Sequence, residues 1–110
     1  MSHAGVVTAV VVTAVFRPLP GRHDDARAAI EGALADVHAE DGCLLYALHD
    51  AADGTLVLLE KWESQELLDA HSVGEPVKRL GAALDGLLEQ PAAVVTMTPL
   101  PAGDPVKGRL

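Results

Sequence analysis

Near the middle of this 110-residue chain, Leu59-Glu60-Lys61-Trp62-Glu63-Ser64 is followed at short range by Leu68-Asp69-Ala70-His71. Trp62 is the single tryptophan, and it stands at the end of a strand-like run where a helix begins. Ser64 is a favoured N-cap residue, so the helix carries His71 about two turns along, roughly 10 Å up its axis. Strand parity sets Glu60 on the face of Trp62 and Leu58. An indole, a carboxylate and an imidazole around one apolar cavity suit a flat aromatic ligand. The indole offers a stacking face, and the imidazole exchanges a proton near neutral pH. Each residue also has a structural reading: Trp62 as core packing, His71 as a cap or surface group, Glu60 as a hydrogen-bonded or paired carboxylate. Tyr46, read on the strand face opposite Cys43, Leu45, Ala47 and His49, fills either the cavity or an interface between copies of the chain.

Other chemistries find no support in the sequence. His3, His23, His38 and His49 lack metal-ligand spacing, so no metal is predicted, and the pair His23 and Asp24 reads as decoration of a first helical turn. Ser2, Ser64 and Ser72 have no nucleophile elbow around them, and the glycines form no phosphate loop. Cys43, the single cysteine, excludes an intramolecular disulfide and reads as a small core residue. Eight Lys and Arg against sixteen Asp and Glu give a net charge of −8 with no basic cluster, which argues against nucleic acid and anionic membrane as partners. The apolar run from Val6 to Phe16 is too short to span a bilayer. Met1-Ser2-His3-Ala4-Gly5 before it carries no Lys or Arg, so no secretory signal is predicted and a cytoplasmic location is expected.

The elements that must position these groups follow from periodicity and breakers. The β-branched run Val6 to Phe16 predicts strand one, ended by Arg17-Pro18-Leu19-Pro20-Gly21. Ala26, Ile30, Ala33, Leu34 and Val37 recur at helical spacing between Arg22 and Glu40. Cys43 to His49 and Thr55 to Trp62 flank an Asp53-Gly54 turn and predict an antiparallel hairpin. A short helix after Ser64 is broken at Gly74-Glu75-Pro76. A second piece then places Val77, Leu80, Leu84, Leu87 and Leu88 on one stripe before Pro91. Ala92 to Thr98 is strand four, and Pro99 to Leu110 lacks periodicity and reads as an extended arm. The order is the α+β, ferredoxin-like split βαβ arrangement (βαββαβ) with a four-stranded antiparallel sheet. It forms one domain over 1–110, with its core at about 6–100 and a C-terminal arm at 101–110. With 49% hydrophobic residues, the chain places apolar side chains on both faces of strands one and three. A solvated second face would expose an unusually large apolar patch, which predicts a homodimer packed through the sheet faces.

The words Pro20-Gly21-Arg22-His23, Glu40-Asp41-Gly42-Cys43-Leu44-Leu45-Tyr46, Glu60-Lys61-Trp62-Glu63-Ser64 and Leu67-Leu68-Asp69-Ala70-His71 occur in this order between about Val6 and Leu100. In words and order the chain resembles the antibiotic biosynthesis monooxygenase (ABM) domain of the dimeric α+β barrel superfamily. The resemblance implies the ferredoxin-like fold, the dimer, and an oxygenase that uses no cofactor on quinols or polycyclic aromatic polyketides. It puts Trp62 and His71 in the catalytic cavity, with His71 transferring the proton, and leaves Tyr46, Leu58, Glu60 and His49 as candidates for contact with a small aromatic substrate. The chain also departs from the family. It has no asparagine, and the position four residues before Trp62 is Leu58, so haem degradation of the Asn-Trp-His type is not expected. The second histidine that many members carry is replaced within Gly74-Glu75-Pro76-Val77. These losses motivate the alternative of a non-catalytic small-molecule-binding or pathway accessory protein of the same fold.

Overall fold

The computed structural model describes residues 8–110, so the predicted start of strand one at Val6 lies outside the described residues. Strand β1 (Val10–Phe16) is followed by helices α1 (His23–Glu31) and α2 (Leu34–His38) and by the hairpin β2 (Cys43–Asp50) and β3 (Leu56–Trp62). Helices α3 (Gln65–Ser72) and α4 (Glu75–Leu84) then lead to β4 (Ala93–Met97). The strands form one antiparallel sheet in the order β2-β3-β1-β4, the ferredoxin-like arrangement that the sequence predicts. No helix among the described residues is long and apolar enough to cross a membrane.

Side-chain parity divides the sheet into two faces. Val10, Val12, Ala14 and Phe16 of β1 and Leu56, Leu58 and Trp62 of β3 are buried beneath the helices, against Ala26, Ile30, Val37, Leu68, Leu80 and Leu84. The opposite face presents Val11 and Val15 beside Val57 and Leu59, flanked by Val95 and Met97 at the edge. This face is apolar apart from Thr13, His49 and Lys61, as the alternation on β1 and β3 requires.

Several local features differ from the periodic reading. The predicted single helix from Arg22 to Glu40 breaks at Gly32 and Ala33. There Ala33 N–H donates to Ile30 O at 3.0 Å, one tight turn that lets Val37 return to the core. The last helix stops at Leu84 because Gly86 takes a positive φ of 75°. Leu87 and Leu88 then pair with the segment after β1: Leu19 N–H donates to Leu87 O and Glu89 N–H to Arg17 O, both at 2.9 Å. Cys43 lies on the Tyr46 face, opposite to the expectation, because a bulge between Cys43 and Leu45 inserts one residue and sets Cys43 against Trp62. His23 does more than decorate a first turn. Its Nε2 lies 2.9 Å from Asp50 Oδ1, tying α1 to the end of β2, and this partner raises the imidazole above its ordinary pKa. The C-terminal arm carries a turn near its tip, where Asp104 Oδ2 accepts from the backbone N–H of Val106 and Lys107 at 2.8 Å. It ends with Leu110 O accepting from Lys61 Nζ at 2.7 Å.

The hairpin and helix α3 meet at Gly42. Its φ is +80°, and a Cβ there would stand 2.5 Å from Leu67 Cδ1, so glycine is needed on both counts. Glu63 N–H donates to Gly42 O at 2.8 Å, which fixes the start of β2 against the end of β3. Ser64 caps α3 by accepting from Leu67 N–H at 3.2 Å. Together these contacts bring the residues just before Gly42 alongside the last turn of α3.

Candidate active site

Trp62 ends β3 with no solvent exposure, and its one polar atom must find a partner inside the protein. Nε1 donates to Glu60 Oε1 at 3.0 Å, two residues back on the same face of the strand. The indole face is covered by His71, with ring centroids 4.4 Å apart and planes at 30°. His71, 5% exposed, also lies edge-on to Tyr46 at 5.6 Å, and Tyr46 pairs across the hairpin with Glu60. Packing on two sides therefore fixes the imidazole plane.

A hydrogen bond fixes which nitrogen faces outward. His71 Nδ1 lies 2.9 Å from Glu40 Oε2, and Glu40 is held there by the Gly42 junction. A carboxylate can only accept, so Nδ1 carries the proton and Nε2 is left as the basic nitrogen for a ligand. The result is a carboxylate–imidazole pair of the kind that serves general base catalysis, since a proton taken at Nε2 creates a cation that already faces Glu40.

Tyr46, Glu60 and His71 line one cavity of about 810 Å³ between the helices and the sheet. Its walls are mainly apolar, among them Val12, Phe16, Leu68, Leu80 and Leu84. The volume accommodates a polycyclic aromatic ligand. β4 leaves the side of the cavity open, with Val94 61% exposed although it points to the helix side. Burial drives the Tyr46 hydroxyl far above its ordinary pKa, aided by the charges of Glu60 and Glu40, so it acts as a hydrogen-bond donor. Burial also raises the Glu60 carboxyl above 4.5. The Trp62 hydrogen bond and the facing His71 oppose this rise, and Glu40 adds to it.

The structure brings together Tyr46, Glu60 and His71 at the cavity and sets the other candidates elsewhere. Trp62 stands behind His71 and does not line the cavity, so its stacking face is taken by the imidazole and it acts by positioning that ring. Leu58 is fully enclosed in the core. His49 is exposed on the opposite sheet face, with Nδ1 3.1 Å from Ala47 O, and borders a separate groove along the β2 edge. Glu40 is the functional partner that residue-by-residue reading does not single out. The signal for it is indirect, because it precedes the glycine that opens the strand paired with the end of β3.

Residues 9–83 match the family model described as antibiotic biosynthesis monooxygenase. The chain belongs to the antibiotic biosynthesis monooxygenase family. It is 37% identical over 92 residues to Rv0793 of Mycobacterium tuberculosis (strain ATCC 25618 / H37Rv), covering 83% of this chain and 91% of that protein. The solved structure of Rv0793 superposes with a TM-score of 0.80 at 35% identity, covering 88% of this chain and 100% of the other. PA3566 from Pseudomonas aeruginosa, at 23% identity, shares the fold with a TM-score of 0.77 over 84% of this chain and 95% of its own.

Replacing Glu40 with Ala removes the acceptor at Nδ1, and the neutral imidazole of His71 shifts from the Nδ1–H toward the Nε2–H tautomer. Long-range ¹⁵N–¹H NMR of labelled protein reads this directly, and an unchanged tautomer would show that Glu40 does not set it. For Glu60, the folded chain binds the carboxyl proton more tightly than the unfolded chain, so the ionised form opposes folding above the raised value. Glu60→Gln keeps an acceptor for Trp62 Nε1 and is expected to raise Tm by about 4 °C at pH 8. That gain shrinks as pH falls through the raised value and is gone below about 4.5. A lower Tm at pH 8 would mean that the charge itself is stabilising.

Proposed function

We propose that this chain is a monooxygenase that oxidises an electron-rich phenol, a quinol or a polyketide-like aromatic, with dioxygen. The Glu40–His71 pair beside an apolar cavity is the observation that carries this reading. His71 Nε2 takes the phenolic proton, and the resulting anion is itself the reductant, passing an electron to dioxygen. Recombination forms a hydroperoxide; loss of water then leaves one oxygen atom in the product as a carbonyl and the other in water. Tyr46 donates to developing negative charge, while the apolar walls keep bulk water from the anion. An apolar cavity of this size also supports ligand holding without turnover, the reading that fits the missing asparagine and second histidine.

An oxygen electrode with a panel of hydroquinones and anthrones tests this. Uptake of one dioxygen per substrate is expected, with kcat/KM reduced about 100-fold or more in His71→Ala. No uptake with any member, or an unchanged rate in the variant, removes the monooxygenase reading, and an aromatic that co-purifies unoxidised then favours the holding role.

The same proposal includes a homodimer in the cytoplasm, two copies packing through the apolar face that carries Val11, Val57, Leu59 and Val95. The support is that every strand contributes apolar side chains to this face, interrupted by Thr13, His49 and Lys61, while the cavity lies on the other side. Sedimentation at micromolar concentration is expected to give about twice the 11.4 kDa chain mass, with Leu59→Lys shifting it to the monomer. A wild-type monomer under those conditions sinks the dimer.

A further inference from the structure

Charge around the cavity is one-sided. Among the described residues, four carboxylates line it and no Lys or Arg does: Glu60 lies within, while Asp69, Asp85 and Glu89 are exposed around it. Asp69 Oδ1 accepts from Gln65 Nε2 at 2.8 Å, a neutral donor that leaves the charge in place. Arg17 is the cation that approaches, with Nε 4.0 Å from Glu89 Oε2 and both side chains more than two-fifths exposed, a separation at which attraction is weak and screened. Helix α4 adds to the same sign. Gly81, Leu84 and Asp85 at its C-terminal end line the cavity, and the carbonyls of a helix C-terminus carry partial negative charge. His71, among the described residues the one lining group able to become positive, already faces Glu40 at 2.9 Å.

An anionic ligand entering this space would lose water without gaining a counter-ion, and would meet like charges at short range. An uncharged phenol meets neither cost and offers its O–H to the acceptors that His71 and Glu60 supply. We infer that the cavity selects uncharged phenolic rings and rejects the same ring bearing a carboxylate, sulfate or phosphate, with Asp85 and Glu89 as the charge filter. This rests on the cavity being the binding site of the proposed function, but it does not require that oxidation occurs.

The test is anaerobic calorimetric titration at pH 7 and low salt with 2-naphthol and 6-hydroxy-2-naphthoate, probes that share a hydroxylated ring system and differ in one carboxylate. The neutral probe is expected to bind about tenfold tighter or more. The Asp85→Asn, Glu89→Gln double variant narrows that gap by strengthening the naphthoate alone. Equal or tighter binding of the naphthoate, a gap unchanged in the double variant, or no binding of either probe overturns the inference. Selective binding without oxygen uptake keeps it while removing the monooxygenase reading. Oxidation of both probes with equal kcat/KM does the reverse.

Discussion

Everything at the site depends on an indole with nowhere else to go. Trp62 is fully enclosed at the end of β3, so its N–H has to be satisfied from within and its faces have to be packed. The first demand holds Glu60 in a buried position that a carboxylate would otherwise avoid, and the second holds the His71 ring, tilted by 30°, over the indole face. A large rigid residue with no exposure thus sets the geometry of two smaller groups that do face the cavity. Its contribution is orientation, and the chemistry passes to the imidazole.

Orientation alone would leave the imidazole with two choices of tautomer, and the carboxylate of Glu40 selects the Nδ1–H form. The arrangement concentrates negative charge: Glu40 and Glu60 both lie near His71, and Glu40 contributes to the rise of Glu60. Such a region tolerates a proton well and a second anion poorly. The crowding at His71 therefore favours a proton at Nε2 and adds to the disfavour toward anionic ligands that Asp85 and Glu89 impose. A change that relieves the crowding, by neutralising Glu40 or Glu60, alters both together.

How much of this was legible in the sequence varies with the distance over which each relation acts. Parity is local, so alternation separates Val12 and Ala14 from Val11 and Val15 on β1, and Leu56 and Leu58 from Val57 and Leu59 on β3, while the pairing of the strands decides which sets share a face. Breakers are local too, and Gly74-Glu75-Pro76 and Asp53-Gly54 fall where the chain turns. What periodicity could not carry was a change of phase. The bulge after Cys43 reversed that residue's face, and the tight turn at Gly32 divided a helix whose apolar spacing looked continuous. The hydrogen bond between Glu40 and His71 spans 31 residues of sequence and exists only because β2 opens against the end of β3. Residue type reveals the aromatic area of Trp62 but not which neighbour covers it, and in the fold that neighbour is His71.

The sheet separates two tasks by residue parity. Along β3, Leu58, Glu60 and Trp62 serve the core and the cavity, while Val57, Leu59 and Lys61 face the other way. A strand used on both faces cannot shift register by one residue without exchanging the two sets, which would turn Lys61 into the core and Glu60 out of it. That penalty locks the register of β3 more firmly than backbone hydrogen bonds alone, and β3 pairs with β1 and β2 on its two edges. β4 has a partner on one edge only and is exposed along its length, so the least constrained strand borders the open side of the cavity. The open side of the cavity thus lies on a strand with one partner, whereas Glu60 and Trp62, against which His71 packs, lie on the strand held from both edges.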